Sequence, residues 1–516
     1  MSSTREEALE KANQQLRQEN ELLRQKLDLI IRRMHEKSSE KISPDQMDFL
    51  MNNLDERGKP EGDAPRKTEE DVAAKAKKPR KVVHKPRIPE HVPIESRQVI
   101  EPQEVLEQPD RWRRIGEEVS EYLDYQPGYF FKRQIVRPKY VCICKPDQAP
   151  IIAALPNRWT ERSIAATGLL AHITTRKYID HLPLYRQEQI FRTRHGVEIP
   201  RNTMARWMEN VADSLKLIYL CMAEQLFSGD YLQVDETPIK YLQPGSGKAQ
   251  QGYFWAYSNP KGDVLFDWQT GRSHQCLLEM LAKPNPEKKS EALIFIFQGL
   301  LQCDGYSAYK TLANKSTGID LVGCWAHVRR KFKEAAPDFP RQAGWILRQI
   351  QHLYAIERKL REKKASPRLR ATKRASESRP ILARIKKVLE LYKARASILP
   401  ESSLGKAIAY ALGEWKGLDL YIESGHIEID NNLIENAIRP TAVGKKNWMF
   451  VGRAETGERS AIIYSVLESC RRRGIDPYKY LADVLERLPN STTAEIAKLT
   501  PAGWAAERRS EIAQAA

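Results

Sequence analysis

The feature that most constrains this chain is a change of rhythm at residue 229. From residue 160 to residue 228 the apolar residues recur at helical spacing; after it they alternate or run together in short blocks. YLQVDETPIKYL (231–242), QGYFWAYS (251–258) and DVLFDWQT (263–270) read as three short strands, the last two separated by the turn cluster SNPKG. SHQCLLEMLAK (273–283) reads as a helix. LIFIFQGLLQCDGYSAY (293–309) reads as one buried strand with Asp304-Gly305 as its exit turn, and IDLVGCWAHVRRKF (319–332) as a short strand running into a basic helix. A chain with three meandering strands, a helix, a strand, a helix and a final strand must fold as mixed α/β.

That order matches the ribonuclease-H-like fold, in which one carboxylate stands on the first strand and another just after the fourth. Asp235 and Asp304 occupy those places. Residues 335–425 are long-period, helical and rich in Lys, Arg and Glu, as expected of a helical insertion. After it comes HIEIDNNLIENAIRPTAVGKKNWMFVG (426–452), where Asp430 or Asn431 suits a helix cap. Glu435 and Arg439, four apart, share a face of that helix. The core is therefore expected in two parts, 229–334 and 426–475, with 476–516 as a C-terminal helical tail.

Three carboxylates from separate rigid elements suit one chemistry well. Attack on a phosphodiester builds negative charge on the entering, leaving and non-bridging oxygens. A pair of Mg²⁺ ions about 3.5–4 Å apart stabilises both reacting oxygens. Mg²⁺ prefers carboxylate and water oxygens, and Mn²⁺ accepts similar donors. Spacing alone does not single out Asp235, Asp304 and Glu435 among 67 acidic residues; Glu236 and Asp430 are the nearest rival ligands.

Upstream, residues 7–36 carry a heptad pattern. Leu9, Leu16, Leu23 and Ile30 fall on one seam, and Asn13, Asn20, Leu27 and Met34 on the other. A short parallel coiled coil joining copies of the chain fits this pattern, as does an amphipathic helix packed on its own domain. Residues 55–95 are rich in Lys, Arg, Pro and Glu and read as a flexible basic linker. Residues 96–155 regain aromatic and β-branched residues and suggest a small β-rich module. Its Cys142 and Cys144 form a C-x-C pair with no second pair nearby. Residues 160–228 suggest a helix-turn-helix. Its first helix spans 184–191, its turn falls at Gly196, and Pro200 opens the second helix. Arg201, Asn202, Thr203 and Arg206 would then face a DNA groove; plain helix packing is the alternative.

The chain has 84 Lys and Arg against 67 Asp and Glu, a net charge of +17 that suits a polyanionic partner. No apolar run approaches the ~20 residues of a membrane span, and the charged N-terminus lacks a secretory core. A cytoplasmic location is expected. The seven cysteines are scattered, so a disulfide framework is not expected.

Four stretches carry a resemblance: VDETPIKYL (234–242), QCDGYSAYK (302–310), CWAHVRRKF (324–332) and DNNLIENAIRPTAVGKKNWMFVG (430–452). Through them the chain resembles the insertion sequence 66 family of bacterial transposases over nearly its whole length. The resemblance implies a DDE enzyme with a ribonuclease-H-like core and a helical insertion before the Glu. It places the catalytic role and the Mg²⁺ ligands on Asp235, Asp304 and Glu435. It also implies an N-terminal zipper, a zinc-finger-like module and a helix-turn-helix. The zinc module departs from the family's pattern of two C-x-x-C pairs, because only Cys142 and Cys144 are present and VIEPQEVLEQPDRW (99–112) has no cysteine.

Cys324 and His327 stand in C-x-x-H order. A role supporting a carboxylate or phosphate fits them better than a metal site. Arg329, Arg330 and Lys331 on the same helix, and Lys445, Lys446 and Trp448 beyond the Glu435 helix, are candidate DNA contacts, with Trp448 equally suited to the core. The expected partners are double-stranded DNA (element ends and target), further copies of the chain, and accessory proteins of the same element. Two other readings stay open. One is a non-catalytic DNA-binding protein or repressor; the other is a ribonuclease-H-like nuclease or resolvase on branched DNA.

Overall fold

The computed structural model describes residues 128–132, 139–140, 151–152, 163–260, 262–284 and 293–515. The coiled coil expected over 7–36, the linker over 55–95, and Cys142 and Cys144 lie outside the described residues. Of the expected β-rich module, an antiparallel ladder of Lys139–Tyr140 with Ile151–Ile152 is described.

Five strands form the central sheet: β1 (Tyr231–Leu242), β2 (Ala249–Ser258), β3 (Val264–Gln269), β4 (Gly299–Gln302) and β5 (Ile319–Val322). Their spatial order is β3-β2-β1-β4-β5. The first three run antiparallel, joined by tight turns, with Gly245 and Gly247 supplying positive φ between β1 and β2. β1–β4 and β4–β5 are parallel. Parallel neighbours need crossovers, and helices supply them: His274–Leu281 between β3 and β4, Ser307–Lys315 between β4 and β5. Helices on both faces explain why Phe254, Trp255, Ala256, Tyr257, Val264, Leu265 and Phe266 form continuous buried runs instead of alternating.

One expectation needs correction. The run 293–302 is two strands, not one. Leu293–Phe295 pairs with Ala282–Pro284 in a separate ladder, and its Leu293 and Ile294 are exposed. Gly299 divides them. Its φ is +139°, and a Cβ there would lie 2.2 Å from the Asp230 carbonyl oxygen. Only glycine lets the chain turn and enter the sheet beside β1.

Ahead of the sheet stand α1 (Thr167–Tyr178), α2 (Leu184–His195) and α3 (Arg201–Phe227). Gly196 ends α2 in the left-handed conformation and Pro200 precedes α3, as the sequence suggested. The apolar stripe of α3 (Met204, Trp207, Met208, Val211, Leu215, Ile218, Met222) is buried in the same core as Val234, Phe254 and Phe266. This helix pair is thus continuous with the sheet's core.

After β5 come α6 (Trp325–Ala335), α7 (Pro340–Glu362), α8 (Pro367–Lys373), α9 (Arg379–Lys393), α10 (Ser403–Gly413) and α11 (Trp415–Leu420); the two crossover helices are α4 and α5. They close on a second core, which Val322 and Tyr231 of the sheet join. At its heart Arg374 is fully buried with Glu357. The chain returns through α12 (Asn432–Trp448), α13 (Ala454–Arg472) and α14 (Pro477–Arg487). α13 lies along β3, where the Val264 and Phe266 amides donate to Ser469 Oγ (3.0 Å) and Ser465 Oγ (2.7 Å). Residues after 476 do not trail: Tyr480, Leu481 and Val484 are buried in the first core, and the Tyr480 hydroxyl donates to the Leu499 carbonyl at 2.6 Å. Among the described residues no helix is long and apolar enough to cross a membrane.

Candidate active site

Asp235 lies midway along β1, Asp304 two residues beyond β4, and Glu435 in the first turn of α12. One buried amide network binds the segments that carry them. Gln233, two residues before Asp235, donates from Nε2 to Gln302 Oε1 (2.8 Å) and to the Asp430 carbonyl (3.0 Å). Gln302, two residues before Asp304, donates to the Glu428 carbonyl (2.8 Å) and accepts from the Tyr231 hydroxyl (2.6 Å). The Glu428 amide donates to that hydroxyl at 3.1 Å. Asn431 Nδ2 reaches the Val234 carbonyl at 2.9 Å, so the start of α12 is latched beside Asp235. Each of these polar groups is buried and would cost about 1–3 kcal/mol if left unpaired. The network therefore fixes where the three carboxylate-bearing segments meet.

The pocket's electrostatics are unbalanced. The Asp235 carboxyl is pushed up to about 8, first by burial, then by the charges of Glu236 and Glu435, with Asp304 adding to them. The Glu236 amide, donating to Asp235 Oδ1 at 2.9 Å, opposes the shift and does not cancel it. Asp304 Oδ1 accepts from the Tyr306 amide at 2.9 Å, which closes the exit turn. Glu435 sits where a helix N-terminus favours negative charge. His327 Nε2 and Arg330 are both 4.0 Å from its oxygens, beyond hydrogen-bond reach. Its Oε1 is buried with no hydrogen-bond partner.

The rival carboxylates are already engaged. Glu236 has a 2 % exposed side chain and takes the Arg272 guanidinium and the Tyr309 hydroxyl. Asp430 accepts from the amide (3.2 Å) and side chain (2.8 Å) of Asn432. Asp235 and Asp304 each accept one backbone amide, and Glu435 Oε1 accepts none. Hard oxygen donors, an orphaned carboxylate oxygen and a carboxyl driven towards protonation by its neighbours together fit a divalent cation. Among the described residues, no three His, Cys, Asp or Glu side chains converge closely enough to hold a metal ion by themselves. Mg²⁺ does not require this, since it commonly uses one or two carboxylates and completes its shell with water and phosphate.

Cys324 and His327 flank this pocket. The Asn431 amide donates to Cys324 Sγ at 3.3 Å, and burial pushes the thiol up to about 12, so the sulfur stays protonated and serves as an acceptor. Arg439 is exposed one turn beyond Glu435.

Arg201, Asn202 and Arg206 are exposed and Thr203 is half-buried in the first turns of α3, where the Arg201 amide donates to Glu188 at 3.1 Å. Arg329, Arg330 and Lys331 are exposed along α6. Lys446 is exposed, whereas Lys445 Nζ donates to the Pro238 carbonyl of β1 at 2.9 Å, and burial holds it below the usual lysine range. Trp448 packs on the edge of the first core, folded over its own helix: a Cβ on Gly444 would meet the indole at 2.2 Å.

Sequence reasoning missed Arg272, Tyr306, Tyr309, Gln233 and Gln302. The glutamines carry a faint signal, a polar residue inside an otherwise apolar strand, two positions ahead of each aspartate.

A family model described as Transposase IS66 family matches residues 162–459, and one described as IS66 C-terminal element matches residues 465–502. Similar proteins occur in Sinorhizobium fredii. The uncharacterized protein y4jD is 34% identical over 413 residues, 78% of each chain. The uncharacterized protein y4qI is 35% identical over 403 residues, 75% of this chain and 71% of its own. The matched span of the first model takes in β1, β4 and α12 together, so the elements that carry Asp235, Asp304 and Glu435 all fall inside it, and the chain belongs to the IS66 family of transposases.

Proposed function

We propose that this transposase binds the terminal inverted repeats of a mobile element and catalyses metal-dependent DNA strand cleavage and strand transfer, as a DDE enzyme on a ribonuclease-H-like core. The β3-β2-β1-β4-β5 order with two parallel pairs supports the core assignment. The observation that carries the catalytic reading is the field at Asp235, whose carboxyl feels Glu435 and Asp304 from two other elements while Glu236 is tied to Arg272.

Asp235, Asp304 and Glu435 would hold Mg²⁺, or Mn²⁺ in its place. The ions would stabilise the negative charge that builds on the phosphodiester's reacting oxygens. The chain's own residues do the rest. The Gln233–Gln302–Asn431 network keeps the three segments in register. The exposed basic residues Arg329, Arg330 and Lys331, of which Arg330 lies 4.0 Å from Glu435, suit a phosphate backbone. Arg201, Asn202 and Arg206 suit a duplex groove at the exposed start of α3. Joining two DNA ends calls for more than one copy, and the heptads of residues 7–36 are the proposed means.

Supercoiled donor DNA carrying the element's ends, incubated with Mg²⁺ or Mn²⁺, should yield new 3′-hydroxyl ends. Asp235→Asn, Asp304→Asn and Glu435→Gln should each lower that yield at least about 10³-fold. Wild-type product from all three variants would sink the catalytic assignment and leave a DNA-binding protein.

A further inference from the structure

We infer that Arg272 is a phosphate-positioning residue of this site, its guanidinium held between Glu236 and the ring of Tyr306 with one edge left to meet a DNA phosphate. The inference rests on the proposed strand-cleavage reading and adds a group that the carboxylate triad does not contain.

Glu236 follows Asp235 on β1, and its side chain is almost wholly buried. A buried carboxylate must be paired, and Arg272 is the cation that pairs it. The loop after β3 brings Arg272 there, and the contacts run from Nε (2.6 Å) and Nη2 to the same oxygen, Glu236 Oε1. The other oxygen takes the Tyr309 hydroxyl. The guanidinium carbon lies 4.0 Å from the centre of the Tyr306 ring, and the Tyr306 hydroxyl in turn donates to the Arg272 carbonyl at 2.9 Å. Tyr306 is also the residue whose amide closes the Asp304 turn. The arginine is thereby fixed by both aspartate-bearing segments.

Three features point outward from this fixed group. Its side chain is 40 % exposed although its head is pinned. Both contacts to Glu236 use one edge of the fork, and among the described residues Nη1 makes no hydrogen bond or ion pair. Its charge is felt within the acidic pocket, since Asp304 and Glu236 both act on it. A stacked, pre-oriented guanidinium loses little freedom on meeting a phosphate, and its planar fork matches phosphate oxygens. On the side of Asp235 and Asp304, away from Arg330, the pocket is acidic and would repel DNA. A fixed arginine at its rim offers the incoming phosphate a place beside the carboxylates.

The test uses the full chain with Arg272→Ala, Arg272→Lys and Glu236→Gln. Binding of a duplex carrying the element's end is followed by fluorescence anisotropy in Ca²⁺ over a range of salt, and cleavage is followed separately in Mg²⁺. Arg272→Ala should weaken binding about tenfold and reduce the salt slope by about one. Arg272→Lys should restore the slope while cutting at least about tenfold more slowly than wild type, because charge returns without the fork. Glu236→Gln should keep the slope and lose part of the cleavage rate, because the arginine remains but is no longer held. Wild-type affinity and slope in Arg272→Ala would overturn the inference even where the wild-type chain cuts DNA. If the wild-type chain fails to cut, the catalytic reading falls, while the salt slope still decides whether Arg272 meets phosphate.

Discussion

Two of the buried charge clusters among the described residues are finished differently. In the helical insertion Arg374 gives every edge of its guanidinium a partner: Glu357 at 2.7 and 2.8 Å, and the carbonyls of Tyr421, Ser424 and Ile427 at 2.7–2.9 Å. Arg370 bridges Glu357 and Glu428 beside it. The Glu357 carboxyl is held below its usual range; burial alone would raise it, and Arg374 and Arg370 outweigh that effect. In the acidic pocket burial acts the same way, but the neighbours of Asp235 are carboxylates, and the shift goes up. That contrast between a completed and an incomplete cluster supports the proposal that the second takes a cation the chain does not itself supply.

The largest test of that contrast is Arg374→Ala. Removing it leaves Glu357 buried and uncompensated, so unfolding should become easier by about 3–5 kcal/mol; an unchanged denaturant midpoint would end the comparison. Next in size is metal. Mg²⁺ at about a hundred times its dissociation constant should raise the stability of the wild-type chain by about 2.7 kcal/mol. It should do much less for Asp235→Asn, and equal stabilisation of both would place the ion elsewhere. Third is Asp235→Asn in metal-free buffer, which should stabilise the fold at pH 8 by on the order of 1–2 kcal/mol, less than full linkage because residue 235 is not completely buried and water screens it in part.

The sign follows from the carboxyl near 8. The folded chain keeps a proton that the unfolded chain releases near 4, so wild-type stability falls as pH rises through that window. Glu357 has the opposite sign: its contribution is present above the unfolded value and is lost as pH falls through its lowered one. Thermal melts of wild type and Asp235→Asn from pH 5 to pH 8 should therefore diverge steadily, and parallel curves would remove Asp235 from the account. Smallest is Glu435→Gln, expected to gain under about 1 kcal/mol without metal, because its Oε1 has no partner to lose. A clear loss of stability there would mean that Glu435 is already satisfied.

What the sequence conveyed and what it withheld divide along physical lines. Strand β1 announces itself through local alternation, β2 and β3 through short apolar runs bounded by turn residues, and the helix after Asn431 through its spacing, although the Asn431 side chain makes no cap bond and reaches the Val234 carbonyl instead. Asp235 stands inside a strand, where a polar residue has no local reason to be, and Asp304 shows itself only as the Asp of an exit turn. The break inside 293–302 was hidden, because an apolar run looks alike whether it enters one sheet or two; the deciding fact is the approach of Asp230 to Gly299. Arg272 was hidden for a similar reason. A lone Gly-Arg after a strand carries no mark of the Glu236 it will meet 36 residues back. Lys445 looked free for DNA, and Trp448 suited DNA or core alike, because nothing local shows that one reaches the Pro238 carbonyl and the other covers Gly444. The helix pair before the sheet looked separable because the surfaces that bury α3 come from far along the chain, in α13 and in the strands.

The seam between α13 and β3 has a consequence beyond packing. β3 is the outermost strand on its side, and Ser465 and Ser469 answer its Phe266 and Val264 amides at one helical turn's spacing, matching the two-residue repeat of the strand. The helix thus stands in for a sixth strand and seals the hydrogen-bonding rim against a foreign one. Both serines belong to the segment matched as the IS66 C-terminal element. If copies meet on two DNA ends as proposed, they could approach one another without zipping sheet to sheet, and a chain cut short before Ala454 would bring an adhesive border to that meeting.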